Sequence, residues 1–293
     1  MARIETDQGA FVYVAARRWF IRDQGTGNPV VFLHGIPTWS FLWRKVLPVV
    51  ARDFRVITPD LPGFGYSDKP ATGIPPVSEL ATELARLLDR LAIERVALVG
   101  HDLGSLVATA FLERWPERVT HLVLTNTSFR VERWRGTGIS LLSLLRLPIV
   151  GEVAAQFACP WMLRLAMRPF LSDPSVLDWA TLRGYWEPFQ RSFRRMLVYL
   201  VRRPLFTAAD LTRWRTVLVE RCGTGRVPLL LAWGARDPQF RIDEAYELAG
   251  AVAGSRFLPF THASHFLPEE RPRALGRAIA VFLARPEALP APH

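Results

Sequence analysis

Short apolar runs alternate with amphipathic segments along most of the chain, and this alternation limits the folds open to it. Residues 11–21 alternate between apolar and polar side chains, as early antiparallel strands do. Later apolar runs predict strands at 30–33, 55–59, 96–99, 119–124, 227–233 and 256–260. Helical spacing predicts helices at 41–51, 77–91, 103–114, 243–253 and 268–283. The pattern predicts an α/β fold: a mostly parallel central sheet with helices on both faces.

The alternation is interrupted once, between residues 128 and 226. This segment is rich in Leu, Trp, Arg and Pro, and its pattern is typical of several short helices rather than strands. The simplest organisation is one sheet domain with a helical insertion. We therefore predict a core formed by residues 1–127 and 227–293, with a helical cap formed by residues 128–226.

Charge and hydropathy exclude several classes of partner. The formal net charge is +10, but the arginines that dominate it are scattered through every segment instead of forming a basic patch, so no nucleic-acid partner is expected. The longest apolar stretch, 139–150, is interrupted by Arg146 and is shorter than the ~20 residues that a membrane-spanning helix needs. The N-terminus has no apolar core of the signal-peptide type. These features predict a cytoplasmic protein without a membrane partner, acting as a monomer or homodimer.

The decisive motif follows the predicted strand 96–99. Gly100 and Gly104 flank Asp102 in a G-x-D-x-G turn between that strand and a helix. The glycines allow a sharp turn and close packing of strand and helix, so the residue between them is raised at the edge of the sheet. Asp102 also lies at the N-terminus of the helix, where the helix dipole stabilises an anion. The alternative is that Asp102 only caps the helix.

A carboxylate at this position implies a particular chemistry. It is ionised at neutral pH and can attack an electrophilic sp3 carbon without a base to activate it, giving a covalent ester. A second step must then hydrolyse the ester with water, which requires a general base. The sequence therefore predicts Asp102 as a nucleophile, and the general base, typically a histidine, must come from elsewhere in the chain.

The base and its orienting acid are predicted near the last two strands. His265 lies in a loop after the strand 256–260 and is favoured as the base over His262, although either could simply pack the loop. Asp237 follows the strand 227–233 and would accept the second imidazole N–H, unless it is only a turn residue before Pro238.

A fourth element is the loop His34-Gly35-Ile36-Pro37 after the strand 30–33. The backbone N–H groups of Ile36 and Leu103 are predicted to form an oxyanion hole. The bond between Ile36 and Pro37 is a candidate for the cis form. Taken alone, this loop could also be an ordinary tight turn.

Together these segments resemble the α/β-hydrolase superfamily and, within it, the aspartate-nucleophile branch of epoxide hydrolases and haloalkane dehalogenases. The resemblance to dehalogenases is carried by HGIPTWSFLWRKVLPVV and RVITPDLPGFGYSDKP. GHDLGS, WGARDP and SHFLPEERP fit both families. The resemblance covers most of the chain outside the predicted cap, and its motifs are specific for the branch but not for the activity within it.

The halide site of the dehalogenases is not matched in this chain. The resemblance implies that dehalogenases bind the leaving halide with a Trp after the nucleophile and often an Asn in the H-G-x-P loop. This chain has Leu103 and Ile36 at those positions, and neither side chain has a donor. Some members use a cap tryptophan instead, for which Trp161, Trp179 and Trp186 are candidates.

In epoxide hydrolases, the resemblance implies, cap tyrosines assist the oxygen released when the ring opens. The predicted cap contains Tyr185 and Tyr199, and Tyr199 lies closer to the expected position; either could instead be a packing residue. We therefore predict an epoxide hydrolase that converts a hydrophobic epoxide and water to a vicinal diol, without a metal or organic cofactor. The alternatives are a haloalkane dehalogenase with an atypical halide site and a catalytically silent binding protein.

Overall fold

A computed structural model of the chain describes residues 3–6, 9–134, 153, 159–189, 198 and 204–284. The strands are β1 (Arg3–Thr6), β2 (Gly9–Val14), β3 (Arg17–Gln24), β4 (Pro29–Leu33), β5 (Arg55–Pro59), β6 (Val96–His101), β7 (Val119–Thr125), β8 (Leu229–Gly234) and β9 (Arg256–Phe260). They form one nine-stranded sheet in the order β1-β2-β3-β5-β4-β6-β7-β8-β9.

The sheet is antiparallel at one end and parallel over the rest. β1, β2 and β3 pair antiparallel, and β3 joins β5 antiparallel. From β5 through β9, every neighbouring pair is parallel. Strands β6 and β8 are buried along their whole length, as expected for strands covered on both faces. The predicted α/β fold with a mostly parallel sheet is confirmed.

The α-helices described are α1 (Leu47–Val50), α2 (Val77–Arg90), α3 (Leu103–Arg114), α4 (Val131–Trp134), α5 (Pro160–Met167), α6 (Trp179–Trp186), α7 (Ala208–Cys222), α8 (Ile242–Ala251), α9 (Leu267–Glu270) and α10 (Pro272–Leu283). α1 packs against α10, whereas α2 packs against α3 and α3 against α7. The crossover from β4 to β5, which contains α1, runs in one direction along the sheet. The crossovers from β5 to β6 and from β6 to β7, which contain α2 and α3, run in the other. Because such crossovers are right-handed, α1 lies on one face of the sheet and α2 and α3 on the opposite face.

The strand order also fixes where a site can form. β4 lies between β5 and β6, so the chain leaves its carboxyl end in one direction and leaves that of β6 in the other. Such a reversal opens a crevice at the carboxyl ends of the strands. The loop that begins at His34 and the turn at Asp102 follow these two strands directly.

Two predicted helices are divided in the structure. The segment 41–51 forms a 3-10 helix at Ser40–Trp43 and then α1, and the segment 268–283 forms α9 and then α10. In each case a proline lies in the first turn of the second helix, Pro48 in α1 and Pro272 in α10. Proline has no backbone N–H to continue a helix but is well suited to begin one.

Between β7 and β8, the described residues form helices and no strand. The short 3-10 helices Arg168–Phe170, Pro174–Val176 and Glu187–Phe189 lie among α4, α5, α6 and α7. The assignment of residues 128–226 to a cap stays a prediction. Its last helix, α7, packs on α3 of the core, where the indole of Trp214 donates to Glu113 at 3.0 Å. None of the helices in the described part of the chain has the length and hydropathy needed to cross a bilayer.

The packing of α3 on the sheet predicts a strong effect of one methyl group. A Cβ on Gly104 would lie 2.3 Å from the backbone oxygen of Leu33, so Gly104→Ala must move backbone and should lower the free energy of unfolding by about 1–3 kcal/mol or more. Gly250 in α8 is the matched control, because a Cβ there meets nothing within 4 Å. Gly250→Ala should raise stability by about 0.5–1 kcal/mol. Denaturant unfolding of both variants checks the pair, and equal stabilities would contradict it.

Candidate active site

Asp102 occupies a strained turn between β6 and α3. Its backbone has φ 54° and ψ −120°, a conformation that non-glycine residues rarely adopt. The turn is tight on both sides: a Cβ on Gly100 would lie 2.5 Å from the backbone of Ser105, and a Cβ on Gly35 would lie 2.3 Å from the Asp102 side chain. The two glycines therefore make room for a side chain that projects from the sheet edge at the N-terminus of α3.

Two backbone N–H groups favour the charged form of the Asp102 carboxylate, those of Ile36 and Leu103. The N–H of Ile36 donates a hydrogen bond to Oδ1 at 2.8 Å, and Leu103 is the first residue of α3. Burial raises the pKa of Asp102 to about 6, although the charge of His265 and these two N–H groups oppose the rise. At neutral pH the anion therefore persists in a site that is almost closed to solvent.

The other carboxylate oxygen faces the histidine. Nε2 of His265 lies 3.8 Å from Oδ2 of Asp102, and Nδ1 of the same ring lies 2.8 Å from Oδ2 of Asp237. All three side chains are buried. Since Asp237 can only accept in this pair, Nδ1 of His265 carries the proton and Nε2 is free to receive one. The structure thus brings the three residues predicted for catalysis into one chain of contacts.

Asp237 is itself held by several donors. Its Oδ1 accepts from the backbone N–H groups of Gln239 at 2.8 Å and Phe240 at 3.0 Å. Its Oδ2 accepts from the side-chain amide of Asn126 at 2.8 Å as well as from His265. These bonds fix the direction in which the carboxylate meets the imidazole.

Aromatic rings surround His265. Ring centroids lie 4.8 Å away for His101, 4.9 Å for Phe266, 5.5 Å for Phe240 and 6.0 Å for Phe170. Burial alone would lower the pKa of His265, but the charge and hydrogen bond of Asp237, with the charges of Asp102 and Glu270, outweigh it and raise the pKa above its usual value. His265 therefore lies among aromatic rings and is almost closed to solvent.

The loop after β4 is held in place by its own hydrogen bonds. Nε2 of His34 accepts from the backbone N–H of Leu61 at 3.0 Å, and Nδ1 of His34 lies 3.0 Å from the carbonyl of Gly35. The bond between Ile36 and Pro37 is cis, the form for which the sequence made it a candidate. In this loop the N–H of Ile36 points to the Asp102 carboxylate, as expected for the predicted oxyanion hole.

The two predicted tyrosines have different outcomes. Tyr199 lies outside the described residues. Tyr185 is fully buried, and its hydroxyl donates to Glu269 rather than to Asp102, His265 or Asp237. The sequence could not reveal this partner, because Glu269 lies 84 residues further along the chain. The structure therefore does not bring Tyr185 to the triad, and its role as a catalytic acid is a prediction that this geometry does not favour.

The remaining candidates are three tryptophans and a second histidine. Trp161 and Trp179 are 59% and 56% exposed, so their indoles do not enclose the buried carboxylate, whereas Trp186 is partly buried and packs against the core cluster. His262 is exposed and lies 3.1 Å from the guanidinium of Arg236. His265, not His262, is the histidine that meets Asp102.

Two functional neighbours are not predicted from the sequence. Asn126 cannot carry the charge of an orienting acid, yet its amide donates to Asp237 and its oxygen accepts from the backbone of Gly234 at 3.0 Å. The signal available is its position at the end of β7, beside β8 in the sheet. Glu270 is the second neighbour, and its oxygen accepts from the backbone of Ser264, next to the histidine, at 2.6 Å.

This arrangement has the parts needed for a two-step displacement. It contains a buried carboxylate, two backbone N–H groups that favour its charged form, and an oriented imidazole whose second nitrogen faces one of its oxygens. Within the described residues, no group of His, Cys, Asp and Glu side chains is arranged to hold a metal ion.

Comparison with known proteins agrees with this architecture. The sequence model of a family described as alpha/beta hydrolase fold matches residues 28–272. The chain belongs to this family. It is therefore a hydrolase of the α/β-hydrolase fold, and the resemblance found in its motifs is confirmed at this level.

Similar proteins include enzymes that act on different substrates. "Haloalkane dehalogenase 2" of Mycobacterium tuberculosis is 28% identical over 281 residues, which cover 92% of this chain and 95% of that protein. "2-hydroxy-6-oxo-6-phenylhexa-2,4-dienoate hydrolase" of Burkholderia cepacia is 26% identical over 273 residues, with 91% of each chain covered. The crystal structure of haloalkane dehalogenase DbeA from Bradyrhizobium elkani has a TM-score of 0.78 and 26% identity, covering 94% of this chain and 96% of its own.

The ionisation of Asp102 predicts the pH dependence of hydrolysis. If Asp102 is the nucleophile that the sequence predicts, only its carboxylate form can attack. In that case kcat/KM should fall tenfold per pH unit as the pH drops below about 6, the pKa to which burial raises this residue. A pH-rate profile measured under conditions where the protein stays folded tests this. A profile that stays flat down to about pH 4, the range of an ordinary carboxyl, would contradict it.

Proposed function

We propose that this hydrolase opens hydrophobic epoxides to vicinal diols through an ester on Asp102. The observation that carries the proposal is the carboxylate at the turn between β6 and α3. Its Oδ1 accepts the N–H of Ile36, and its Oδ2 faces Nε2 of His265. In the proposal, Oδ2 attacks the substrate and Oδ1 stays bound to the N–H of Ile36.

In the first step, Oδ2 of Asp102 attacks an epoxide carbon. The bond from that carbon to the ring oxygen breaks, and the oxygen leaves as an alkoxide that takes up a proton. Oδ1 becomes the carbonyl oxygen of the new ester and already lies against the N–H of Ile36. Esterification removes the negative charge of Asp102, which helped to raise the pKa of His265. The imidazole is thereby shifted towards the neutral form that can act as a base.

In the second step, Nε2 of His265 takes a proton from water, and the resulting hydroxide attacks the ester carbon. The negative charge that develops on Oδ1 is stabilised by the N–H groups of Ile36 and Leu103. Asp237 stabilises the imidazolium through Nδ1. The intermediate collapses, and the diol oxygen leaves with the proton held by His265. The second proton of the attacking water then passes to the Tyr199 phenolate left by the first step. This restores the tyrosine hydroxyl and the Asp102 carboxylate, which now carries one oxygen from water.

The surroundings of Asp102 favour an epoxide over a haloalkane. A halide leaves the carbon as a separate anion and needs donors beside the nucleophile, whereas the oxygen of an opened epoxide stays attached to the substrate. The side chains of Leu103 and Ile36 have no donor, and Trp161 and Trp179 are exposed. The aromatic rings around His265 also suit a hydrophobic substrate.

Protonation of the alkoxide is assigned to Tyr199 within this proposal. The hydroxyl of Tyr185 is engaged by Glu269, in a cluster that also contains Arg44. Burial and the charge of Glu269 raise the pKa of Tyr185 well above its ordinary value, so it is a poor proton donor. Tyr199 is the other tyrosine of the predicted cap, and the family resemblance favours its position.

A haloalkane dehalogenase is the second candidate. It is favoured by the relatives of that name, which match this chain over nearly its whole length. The proposed nucleophile, base and acid would serve both reactions, since each passes through an alkyl ester of Asp102. The two differ in what is lost during the first step.

The ester should accumulate when its hydrolysis is blocked. His265→Gln removes the base but leaves Asp102 able to attack, so the variant incubated with styrene oxide should gain the mass of the whole epoxide. Incubated with 1-bromohexane, a dehalogenase would instead gain the hexyl group and release bromide. Intact-protein mass spectrometry with peptide mapping to residue 102 distinguishes these adducts.

His262→Gln is the matched control, because His262 is exposed and meets Arg236 rather than the triad. It should turn over like the wild type and accumulate no ester. Bromide release without any epoxide adduct would contradict the proposed activity and favour a haloalkane dehalogenase. Absence of every adduct in His265→Gln would favour a protein that binds without catalysis.

A further inference from the structure

The short helix α9 begins two residues after His265 and ends with two adjacent carboxylates. Glu269 and Glu270 are both buried, although glutamate is rarely buried unless it is paired. Neither residue belongs to the triad. Their partners lie in α6, in the segment before it and in the loop that carries His265.

Glu270 joins two separate backbone segments. Its Oε2 accepts from the N–H of Ser264 at 2.6 Å, directly before His265 in the chain. Its Oε1 accepts from the N–H groups of Ser172 at 2.7 Å and Asp173 at 2.9 Å. One carboxylate therefore connects the loop of the base to the helical segment inserted between β7 and β8.

The same inserted segment also touches the imidazole. Phe170 lies two residues before Ser172, and its ring meets that of His265 at 6.0 Å and an interplanar angle of 64°. The bonds of Glu270 thus set the position of the ring that packs on the base as well as the position of the backbone that carries it. A change in length or charge at Glu270 would move both.

Glu269 anchors the other side of α9. Its carboxylate pairs with Arg44 and with Lys45, and it accepts the hydroxyl of Tyr185. Arg44 also donates to the hydroxyl of Thr181 at 3.2 Å, which lies in α6. These contacts hold α9 between the core and α6, and so they fix the position of the backbone that carries Glu270.

We propose that Glu270 is a positioning residue, whose carboxylate bridges Ser264 to residues 172–173 and thereby fixes His265 over the Asp102 ester during its hydrolysis. The inference rests on the proposed function, in which His265 is the base. It adds a residue that acts through the loop of the histidine rather than on the substrate itself.

The charge of Glu270 supports this role. It is one of the groups that raise the pKa of His265, after Asp237 and Asp102, while His101 faces the same ring from β6. Burial raises the pKa of Glu270 itself, opposed by its three backbone donors and by the charge of Arg271. Loss of this one negative charge should therefore lower the pKa of His265.

Two substitutions separate the effect of the charge of Glu270 from the effect of its side-chain length. In Glu270→Gln the amide nitrogen must face one of the N–H donors, so a bond is lost together with the charge. Glu270→Asp keeps the charge but is too short by one methylene to span Ser264 and residues 172–173. Glu247→Gln is the matched control, since Glu247 is exposed and pairs with the exposed Arg130. Thermal unfolding confirms that each variant is folded.

The readouts are the pKa of His265 and the two chemical steps. Imidazole signals in NMR titrations are assigned to His265 by their absence in His265→Gln. Single-turnover kinetics with styrene oxide then give the rates of ester formation and ester hydrolysis separately. Glu270→Gln should lower the pKa of His265 and slow hydrolysis about tenfold, with ester formation changed less than about twofold. Glu270→Asp should slow hydrolysis with a nearly unchanged pKa, and Glu247→Gln should match the wild type.

A pKa of His265 that is the same in Glu270→Gln and the wild type, with hydrolysis within about twofold, would overturn the inference. Failure of the proposed function gives a different result. In that case no ester forms even in the wild type, while the fall in the His265 pKa in Glu270→Gln still shows whether the contact acts on the base.

Discussion

The site depends on one unfavourable interaction, the burial of the Asp102 carboxylate. An isolated anion at this depth would be costly, and burial does raise its pKa to about 6. The cost is offset locally by the N–H groups of Ile36 and Leu103, by the N-terminus of α3 and by the imidazole of His265. A carboxylate held in this way is poorly hydrated, since Asp102 is only 4% exposed, and poor hydration would favour the proposed attack on carbon.

These offsetting groups come from distant parts of the chain, and the sheet brings them together. β4 and β6 are neighbours although the chain visits β5 between them, so the loop after β4 and the turn after β6 meet at one edge. β7 and β8 then place Asn126 beside Asp237, and the loop after β9 places His265 over both. The reversal of direction at β4 allows the N–H of Ile36, the proposed nucleophile Asp102 and the proposed base His265 to converge without any of them lying on a long loop.

Much of this could be predicted from the sequence, for physical reasons that also explain the failures. Asp102 and Asp237 each follow a buried parallel strand, and His265 lies in the loop after the half-exposed parallel strand β9. Parallel strands bring their carboxyl ends to one edge, so these positions imply that the three side chains meet. The contact between Tyr185 and Glu269 depends instead on how the inserted helices pack on the core. No local sequence pattern predicts that packing. Glu270 escapes prediction for the same reason: its bonds go to backbone N–H groups, whose donors carry no signature in the side-chain sequence. The helix expected over 41–51 is divided because Pro48 begins a new turn.

The most direct test asks whether the side chain of residue 102 ever becomes an ester. In a single turnover in water enriched with heavy oxygen, the label should enter the carboxylate of Asp102, and the diol should carry an ordinary oxygen taken from the enzyme. Mass spectrometry of the peptide containing residue 102 after excess enzyme has consumed a limiting amount of epoxide measures this. Label in the diol with none in Asp102 would mean that water attacks the substrate directly, and it would contradict a nucleophilic role for the buried carboxylate.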